Sequence, residues 1–266
     1  MKPIEVKREI LRFGNGEAQR IEDAIVTEYP VTIKLNGKEV ATLVCTPDYI
    51  EDLAAGFLAS EGIIRTYQEI DDLWVDEKNG IVNITAIRVN PYYESFVNKR
   101  YITSCCGLGR QAFVFVNDAM ITKKIDSYRV KVSLDDCFEL MKKLQQSSKT
   151  FQNTGGVHNA ALCKDGKVVL SRMDIGRHNA LDKIYGHCLK NEIALSDKLL
   201  VFSGRISSEI LVKAAKIGCE IVLSKSAPTE LALQLAEELG ITTIGFIREG
   251  SLNVYTCPER LIMASG

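Results

Sequence analysis

No run of apolar residues in this 266-residue chain reaches the roughly 18 that a membrane-spanning helix requires, so no membrane span is expected. The first residues, Met1-Lys2-Pro3-Ile4-Glu5-Val6-Lys7-Arg8, are polar and lack the apolar stretch of a secretory signal, which makes the cytoplasm the expected location. An excess of basic charge is missing too: 33 Lys and Arg stand against 34 Asp and Glu, for a formal net charge of -1. A protein held to DNA by many phosphate contacts needs a basic face, so nucleic acid is not an expected partner and any nucleotide bound here should be small. Repeats and low-complexity tracts are absent, and a composition of 46% hydrophobic and 25% charged residues excludes disorder. What remains is one large or two modest globular domains, long enough for a core.

The eight cysteines of a cytoplasmic chain are expected as reduced thiols. Cys45, Cys137, Cys163, Cys188 and Cys219 sit among apolar neighbours, as small core residues do. Cys105 and Cys106 differ, because they are adjacent in the glycine-bearing segment Thr103-Ser104-Cys105-Cys106-Gly107-Leu108-Gly109-Arg110. Lys99, Arg100 and Arg110 lie close by, and cationic neighbours favour thiolate, the species that attacks a persulfide or carries transferable sulfur. The alternative is a pair of loop cysteines partly buried beneath the strands. A disulfide between them is strained, since consecutive Cα atoms are about 3.8 Å apart and disulfides begin near 4.4 Å. Without a Cys-x-x-Cys pair anywhere in the chain, the two also make a poor zinc site, and no metal is expected.

The first half reads as strands. Ile25 to Leu35 and Glu39 to Cys45 flank the hairpin dipeptide Asn36-Gly37, and Asp72 to Asp76 and Ile81 to Val89 flank Asn79-Gly80. Between these hairpins, Thr46-Pro47-Asp48 reads as a helix N-cap with Pro at the first position, followed by Ile50, Leu53, Ala54, Phe57 and Leu58 at helical spacing and closed by Gly62. A second helix is expected from Ser133, and Ser147 to Gly156 as a polar loop. From Leu199 the pattern alternates: strand Leu199 to Ser203, helix Ser207 to Ile217, strand Glu220 to Ser224, helix Pro228 to Leu239, strand Thr242 to Ile247. Two successive units of this kind imply parallel strands with right-handed crossovers. The chain thus divides into a β-rich part, residues 1–130, with one helix and the cysteine loop, and an α/β part, residues 131–266.

Three further segments carry candidate chemistry. His158 and His178, two of only three histidines, fall in the polar, glycine-punctuated stretches Thr154-Gly155-Gly156-Val157-His158-Asn159 and Asp174-Ile175-Gly176-Arg177-His178-Asn179, and the second runs into a helix whose amides can meet an anion. Each histidine read singly is equally a hydrogen-bonded structural residue, and His187 is expected in packing. Ser203-Gly204-Arg205 ends a predicted strand before a capped helix, where the crevice of an open α/β sheet lies. Phe246-Ile247-Arg248-Glu249-Gly250-Ser251 ends the next strand but one on the same edge, adding a second cation.

Together, Glu28-Tyr29-Pro30 with Leu35-Asn36-Gly37, Asp52-Leu53-Ala54-Ala55-Gly56-Phe57-Leu58 with Glu61-Gly62-Ile63-Ile64, Thr154-Gly155-Gly156-Val157-His158, the run Asp174 to Lys183, Ser203-Gly204-Arg205 and Gly245-Phe246 with Arg248 resemble the FdhD family of formate dehydrogenase accessory sulfurtransferases. The resemblance runs from about residue 25 to 260. It implies a cytidine-deaminase-like three-layer α/β fold in the C-terminal part and a homodimer. It also implies an activity: a persulfide sulfur is taken from a cysteine desulfurase and passed to the bis(molybdopterin guanine dinucleotide) molybdenum cofactor destined for the formate dehydrogenase apoenzyme. By position, Cys105 would carry the sulfur, and the cofactor, or a guanine nucleotide mimicking it, would meet Phe246, Ile247, Arg248, Glu249, Gly250 and Ser251, with Ser203, Gly204, Arg205, His158 and His178 nearby.

One departure concerns the thiols. Many family members separate two cysteines by two residues, whereas here Cys105 and Cys106 are adjacent and Leu108 stands at the second position. The implied mechanism is therefore a relay through Cys105 alone, with Cys106 supporting or dispensable. Two alternatives stay open from sequence: a chaperone that holds the cofactor without carrying sulfur, and a zinc nucleoside deaminase. The latter is opposed by Ala160 at the position of the required glutamate and by the missing Cys-x-x-Cys.

Overall fold

The structure is a computed structural model that describes residues 2–90 and 124–262. Strands β1 (Glu5–Gly14) and β2 (Glu17–Val26) form an antiparallel arm around Asn15-Gly16, both in the left-handed region that a tight turn demands. Next come β3 (Tyr29–Leu35), β4 (Lys38–Cys45), helix α1 (Ile50–Ser60), β5 (Ile70–Asp76) and β6 (Ile81–Ala86). The last four strands form one sheet in the order β4-β3-β6-β5. Tyr29, Val31, Ile33 and Leu35 alternate onto its buried face, where Leu53, Phe57 and Leu58 of α1 cover them.

Three sequence expectations change here. Ile25 to Leu35 is two strands, because Val26 pairs with Glu5 of the arm whereas Tyr29 onward pairs with β4 and β6. The strand from Ile81 stops at Ala86, whose amide and carbonyl are both taken by the Asn36 carboxamide. Thr46 and Asp48 do not cap α1; that place falls to Tyr49 at φ 51, because both polar side chains turn inward to a buried lysine described below.

The second half contains β7 (Val132–Ser133), α2 (Leu134–Ser147), α3 (Lys149–Thr154), β8 (His158–Lys164), β9 (Lys167–Asp174), α4 (Arg177–Lys190), β10 (Leu199–Phe202), α5 (Ser208–Ile217), β11 (Ile221–Ser224), α6 (Glu230–Leu239), β12 (Thr242–Arg248), β13 (Ser251–Thr256) and β14 (Leu261–Ile262). Ser133 caps α2 and Ser207 caps α5, each accepting from an amide three residues on. The expected loop after Ser147 contains the short α3, started by the Ser148 hydroxyl. Six strands form one sheet in the order β13-β12-β11-β10-β8-β9. Only β10, β11 and β12 are mutually parallel; the hairpins β8-β9 and β12-β13 make both flanks antiparallel. Ala160, Leu162, Leu200, Phe202 and Val222 face α4, α5 and α6, while Ala161, Cys163, Val201, Ile221 and Leu223 face α2. Two buried faces explain the apolar runs of β10 and β11, and the result is the expected three-layer α/β/α arrangement.

Helices α1 and α4 join the two sheets by crossing at glycine. A Cβ on Gly56 would stand 1.8 Å from the Asp182 carbonyl oxygen, and one on Gly186 would stand 1.9 Å from that of Asp52. Backbone approach this close admits no side chain at either position, and it brings Asp52 and Ser60 of α1 within reach of partners from the second half. No helix among the described residues is long and apolar enough to cross a membrane.

Candidate functional site

The carboxyl ends of the parallel strands converge on one rim. Ser203-Gly204-Arg205 follows β10, Ser224 ends β11 and leads into Lys225-Ser226, and Gly245-Phe246 closes the regular part of β12. Ser226 ties the three together: its hydroxyl donates to the Ser203 carbonyl at 3.3 Å, and its own carbonyl accepts from the Phe246 amide at 3.3 Å. The Ser224 hydroxyl donates to the Gly204 carbonyl at 2.7 Å. These bonds fix the turns as one surface. The middle turn was missed from sequence, although it stands at the end of a strand the sequence predicted.

Antiparallel pairing brings the start of β8 to the same rim. The Asn159 amide donates to Ser203 Oγ at 2.9 Å and the Ser203 amide to the Asn159 carbonyl at 3.0 Å. His158 therefore lies on a strand rather than in a turn, beside Gly204, where a Cβ would come within 3.4 Å of its Nδ1. Burial pushes the His158 imidazole below its ordinary pKa and the nearby Arg177 guanidinium adds to this, so the ring is neutral at physiological pH. Arg177 Nε is itself buried without a partner among the described residues. His178 Nε2 lies 3.1 Å from Glu209 Oε2, which joins the first turn of α4 to the first turn of α5.

Phe246 is the strained member of the rim, with φ 50 and a ring partly in solvent. A bulky residue in the left-handed region is an outlier held by its surroundings. Here the register of β12 against β13 slips between Gly245 and Arg248, and the slip turns the Phe246 ring outward while Ile247 stays buried. The Arg248 guanidinium stands 6.0 Å from the ring centroid. Arg248, Glu249, Gly250 and Ser251 form an exposed hairpin tip, and Arg205 is exposed too. Among the described residues neither Arg205 nor Arg248 has a carboxylate partner, so both guanidiniums are free to meet an anion.

The run Asp174 to Lys183 is divided between site and scaffold. The N-terminus of α4, which the sequence suggested for an external anion, is met by the chain's own Asp174: its Oδ1 accepts from the Gly176 amide at 2.8 Å and from Asn179 Nδ2 at 2.9 Å. Its other oxygen lies 2.8 Å from Lys183 Nζ. Lys183 also donates to Asp48, which is partly buried, at 2.6 Å and to the buried Thr46 Oγ1 at 2.7 Å. Burial alone would lower the Lys183 pKa, but Asp174 and Asp48 outweigh it and hold the ammonium above its ordinary value. His187 belongs to a second such group, 2.8 Å from Arg172 Nη2 and 3.2 Å from Asp52 Oδ2. Thus His158, Arg177 and His178 face the rim region, while Asp174, Asn179 and Lys183 hold the halves of the chain together.

All five cysteines expected in the core are there. Burial pushes the thiols of Cys45, Cys137 and Cys163 up to about 12 and that of Cys188 to about 11, and raises Cys219 further still. Cys257 is half-buried and also raised, by burial. Cys105 and Cys106 lie outside the described residues. Ala160, where a deaminase places its glutamate, is a fully buried methyl group in β8.

Residues 26–262 match the model of the FdhD/NarQ family. The chain is 55% identical over 265 residues to the sulfur carrier protein FdhD of Shouchella clausii, covering 99% of each chain. It is 57% identical over 254 residues to the protein of the same name from Bacillus subtilis, covering 96% of each. A crystal structure of a candidate formate dehydrogenase accessory protein from Desulfotalea psychrophila shares the fold, with a TM-score of 0.79 at 24% identity over 98% of this chain and 100% of that one.

Proposed function

The chain belongs to the FdhD/NarQ family, and from that premise we propose that it is a sulfur carrier acting in formate dehydrogenase maturation. The observation that carries this reading is more than 50% identity, across nearly the whole chain, to proteins named as sulfur carriers. Cys105 is the carrier. Its thiolate attacks the outer sulfur of a cysteine desulfurase persulfide, an S–S bond forms on Cys105, and the donor bond breaks with its electron pair leaving on the desulfurase thiolate. The loaded sulfur is then presented to the bis(molybdopterin guanine dinucleotide) molybdenum cofactor as cargo.

Two features of the described residues support the assignment. The six described cysteines have thiols pushed up by burial, so at neutral pH they hold almost no thiolate and are poor carriers of transferable sulfur. The rim offers what a phosphate-bearing ligand needs: two carboxylate-free arginines, a neutral His158 and an outward aromatic ring. Arg205 and Arg248 take phosphate, and the Phe246 ring packs on the planar base. Exposed Leu11 (54%) and Phe13 (75%) on the β1–β2 arm support self-association as a homodimer. The deciding experiment is complementation of a bacterium lacking its own family member: wild type restores formate dehydrogenase activity and Cys105→Ala does not. Full restoration by Cys105→Ala removes that thiol from the mechanism and favours a cofactor-holding chaperone.

A further inference from the structure

Two strand edges stand unpaired among the described residues, and each rejects a copy of itself. One belongs to β1, which pairs only with β2; the other belongs to β5, which pairs only with β6 at the border of its sheet. A free edge presents amides and carbonyls that will pair with any strand whose side chains match. Alternate residues of a strand share a face, so β1 sets Arg8, Ile10 and Arg12 in a row and β5 sets Asp72, Trp74 and Asp76 in a row. Two antiparallel copies of β1 centred on Ile10 would oppose Arg8 to Arg12, and two copies of β5 centred on Trp74 would oppose Asp72 to Asp76. Like charges directly opposite are destabilising.

Against each other, the two edges match in a single register. With Ile10 opposite Trp74 in an antiparallel pair, Arg8 meets Asp76, Arg12 meets Asp72, Lys7 meets Glu77 and Leu11 meets Leu73. A slip of two residues keeps the faces but loses the match, since in either direction Ile10 faces a carboxylate and no Arg–Asp pair survives. The groups are accessible: Trp74 is 51% exposed, and Arg8 and Asp72 are exposed with no ion-pair partner among the described residues. Lys7 and Arg12 hold only exposed pairs within the arm, with Glu22 at 3.2 Å and Asp23 at 3.7 Å, which contribute little. A two-stranded ribbon is marginal in water and gains from further strands. Its root is suitably placed. The Thr27 amide donates to the Ile4 carbonyl at 2.8 Å, and Lys2 shares a cleft with Tyr29 and the turn Glu77 to Gly80 that follows β5, so each arm leaves the body beside the end of β5. We propose that two copies of this chain exchange arms, β1 of each adding to the β5 edge of the other in this register about a two-fold axis. The inference rests on the self-association proposed above and not on the sulfur chemistry.

The test is sedimentation velocity of the full chain. Wild type is expected to run as a dimer. The double variants Arg8→Glu, Arg12→Glu and Asp72→Lys, Asp76→Lys are each expected to raise the dimer dissociation constant at least about tenfold, because arm and edge then carry the same sign. Mixed in equal amounts, the two are expected to dimerise as wild type does, since every arm again faces an edge of opposite charge. Trp74→Ala, an exposed change that keeps all four charges and does not depend on the reversed arm holding its shape, is expected to weaken the dimer at least about fivefold. A wild type that stays monomeric at about 100 μM overturns both the self-association and the arm exchange. A dimer that the charge reversals or Trp74→Ala leave as strong as wild type, or a mixture that does not reassociate, overturns the arm exchange alone and assigns the dimer to another surface.

Discussion

Replacing Gly186 by alanine sets two effects of opposite sign against each other. In a helix interior alanine is favoured over glycine by about 1 kcal/mol, so local propensity predicts a more stable protein. Packing predicts the reverse. The new methyl group would lie 1.9 Å from the Asp52 carbonyl oxygen, 2.7 Å from the Gly56 nitrogen and 2.8 Å from the Asp52 carbonyl carbon, all backbone atoms that cannot swing aside. Reaching even a tight contact requires α1 and α4 to part by about 1 Å, which loosens dispersion along the whole crossing. The same displacement stretches Asp52–Arg172 at 3.0 Å and Ser60–Asp182 at 2.6 Å, both of which link α1 to the second half. Overpacking alone costs about 1–3 kcal/mol and more where backbone must move. Adding the strained polar links and subtracting the propensity gain leaves a loss of about 3 kcal/mol. For a chain of this length that is a fall in Tm of about 6–12 °C. Scanning calorimetry on wild type, Gly186→Ala, Gly56→Ala and the double variant reads it directly. The double variant should lose clearly less than the sum of the singles, since either methyl group forces the same separation. A Gly186→Ala protein that melts at or above wild type refutes the crossing as described.

Lys183→Met leaves the fully buried Asp174 and the partly buried Asp48 without their cation, and urea titration should show a loss of about 3–5 kcal/mol. His158 has a folded pKa below its unfolded value, so the unfolded chain binds the extra proton first; its contribution is present above the unfolded pKa, near 6.5, and is lost as pH falls through the window below it. Melting curves between pH 7.5 and pH 5.5 should therefore fall less steeply in His158→Gln than in wild type, and identical slopes would remove the burial argument. Brief alkylation of the native protein at pH 7.5 with peptide mapping should leave Cys45, Cys137, Cys163, Cys188 and Cys219 unmodified; early labelling of any of them contradicts thiols raised and shielded by burial. The double variant Arg205→Ala, Arg248→Ala should bind guanosine diphosphate at least about tenfold more weakly, since each lost charge-assisted contact is worth about 1.5–3 kcal/mol; unchanged affinity defeats the phosphate role of the rim.

Much of the second half was legible because local signals and tertiary environment agree there. The serines capping α2 and α5 bond as their positions predict, and β10 and β11 are apolar throughout because both faces are covered. Elsewhere a distant partner decided the outcome. Thr46-Pro47-Asp48 has every local mark of a helix start, yet Lys183, more than 130 residues away, draws Thr46 and Asp48 inward. The arm β1–β2 shows no clear alternation, because both of its faces are largely exposed. The β8-β9 hairpin was hidden behind its own motif: glycines and histidines around residues 154–160 read as a ligand turn, although Asp165-Gly166 carries a hairpin signal. The rim was half legible, from two of its three strand ends.

The central claim, sulfur carried on Cys105, is tested most directly by intact-protein mass spectrometry after incubation with a cysteine desulfurase and cysteine. Wild type, Cys105→Ala and Cys106→Ala are compared side by side. The account predicts a gain of about one sulfur atom, some 32 Da, in wild type and in Cys106→Ala, released by reductant and missing from Cys105→Ala. No gain in wild type beside an active desulfurase, or equal loading of Cys105→Ala, would contradict it.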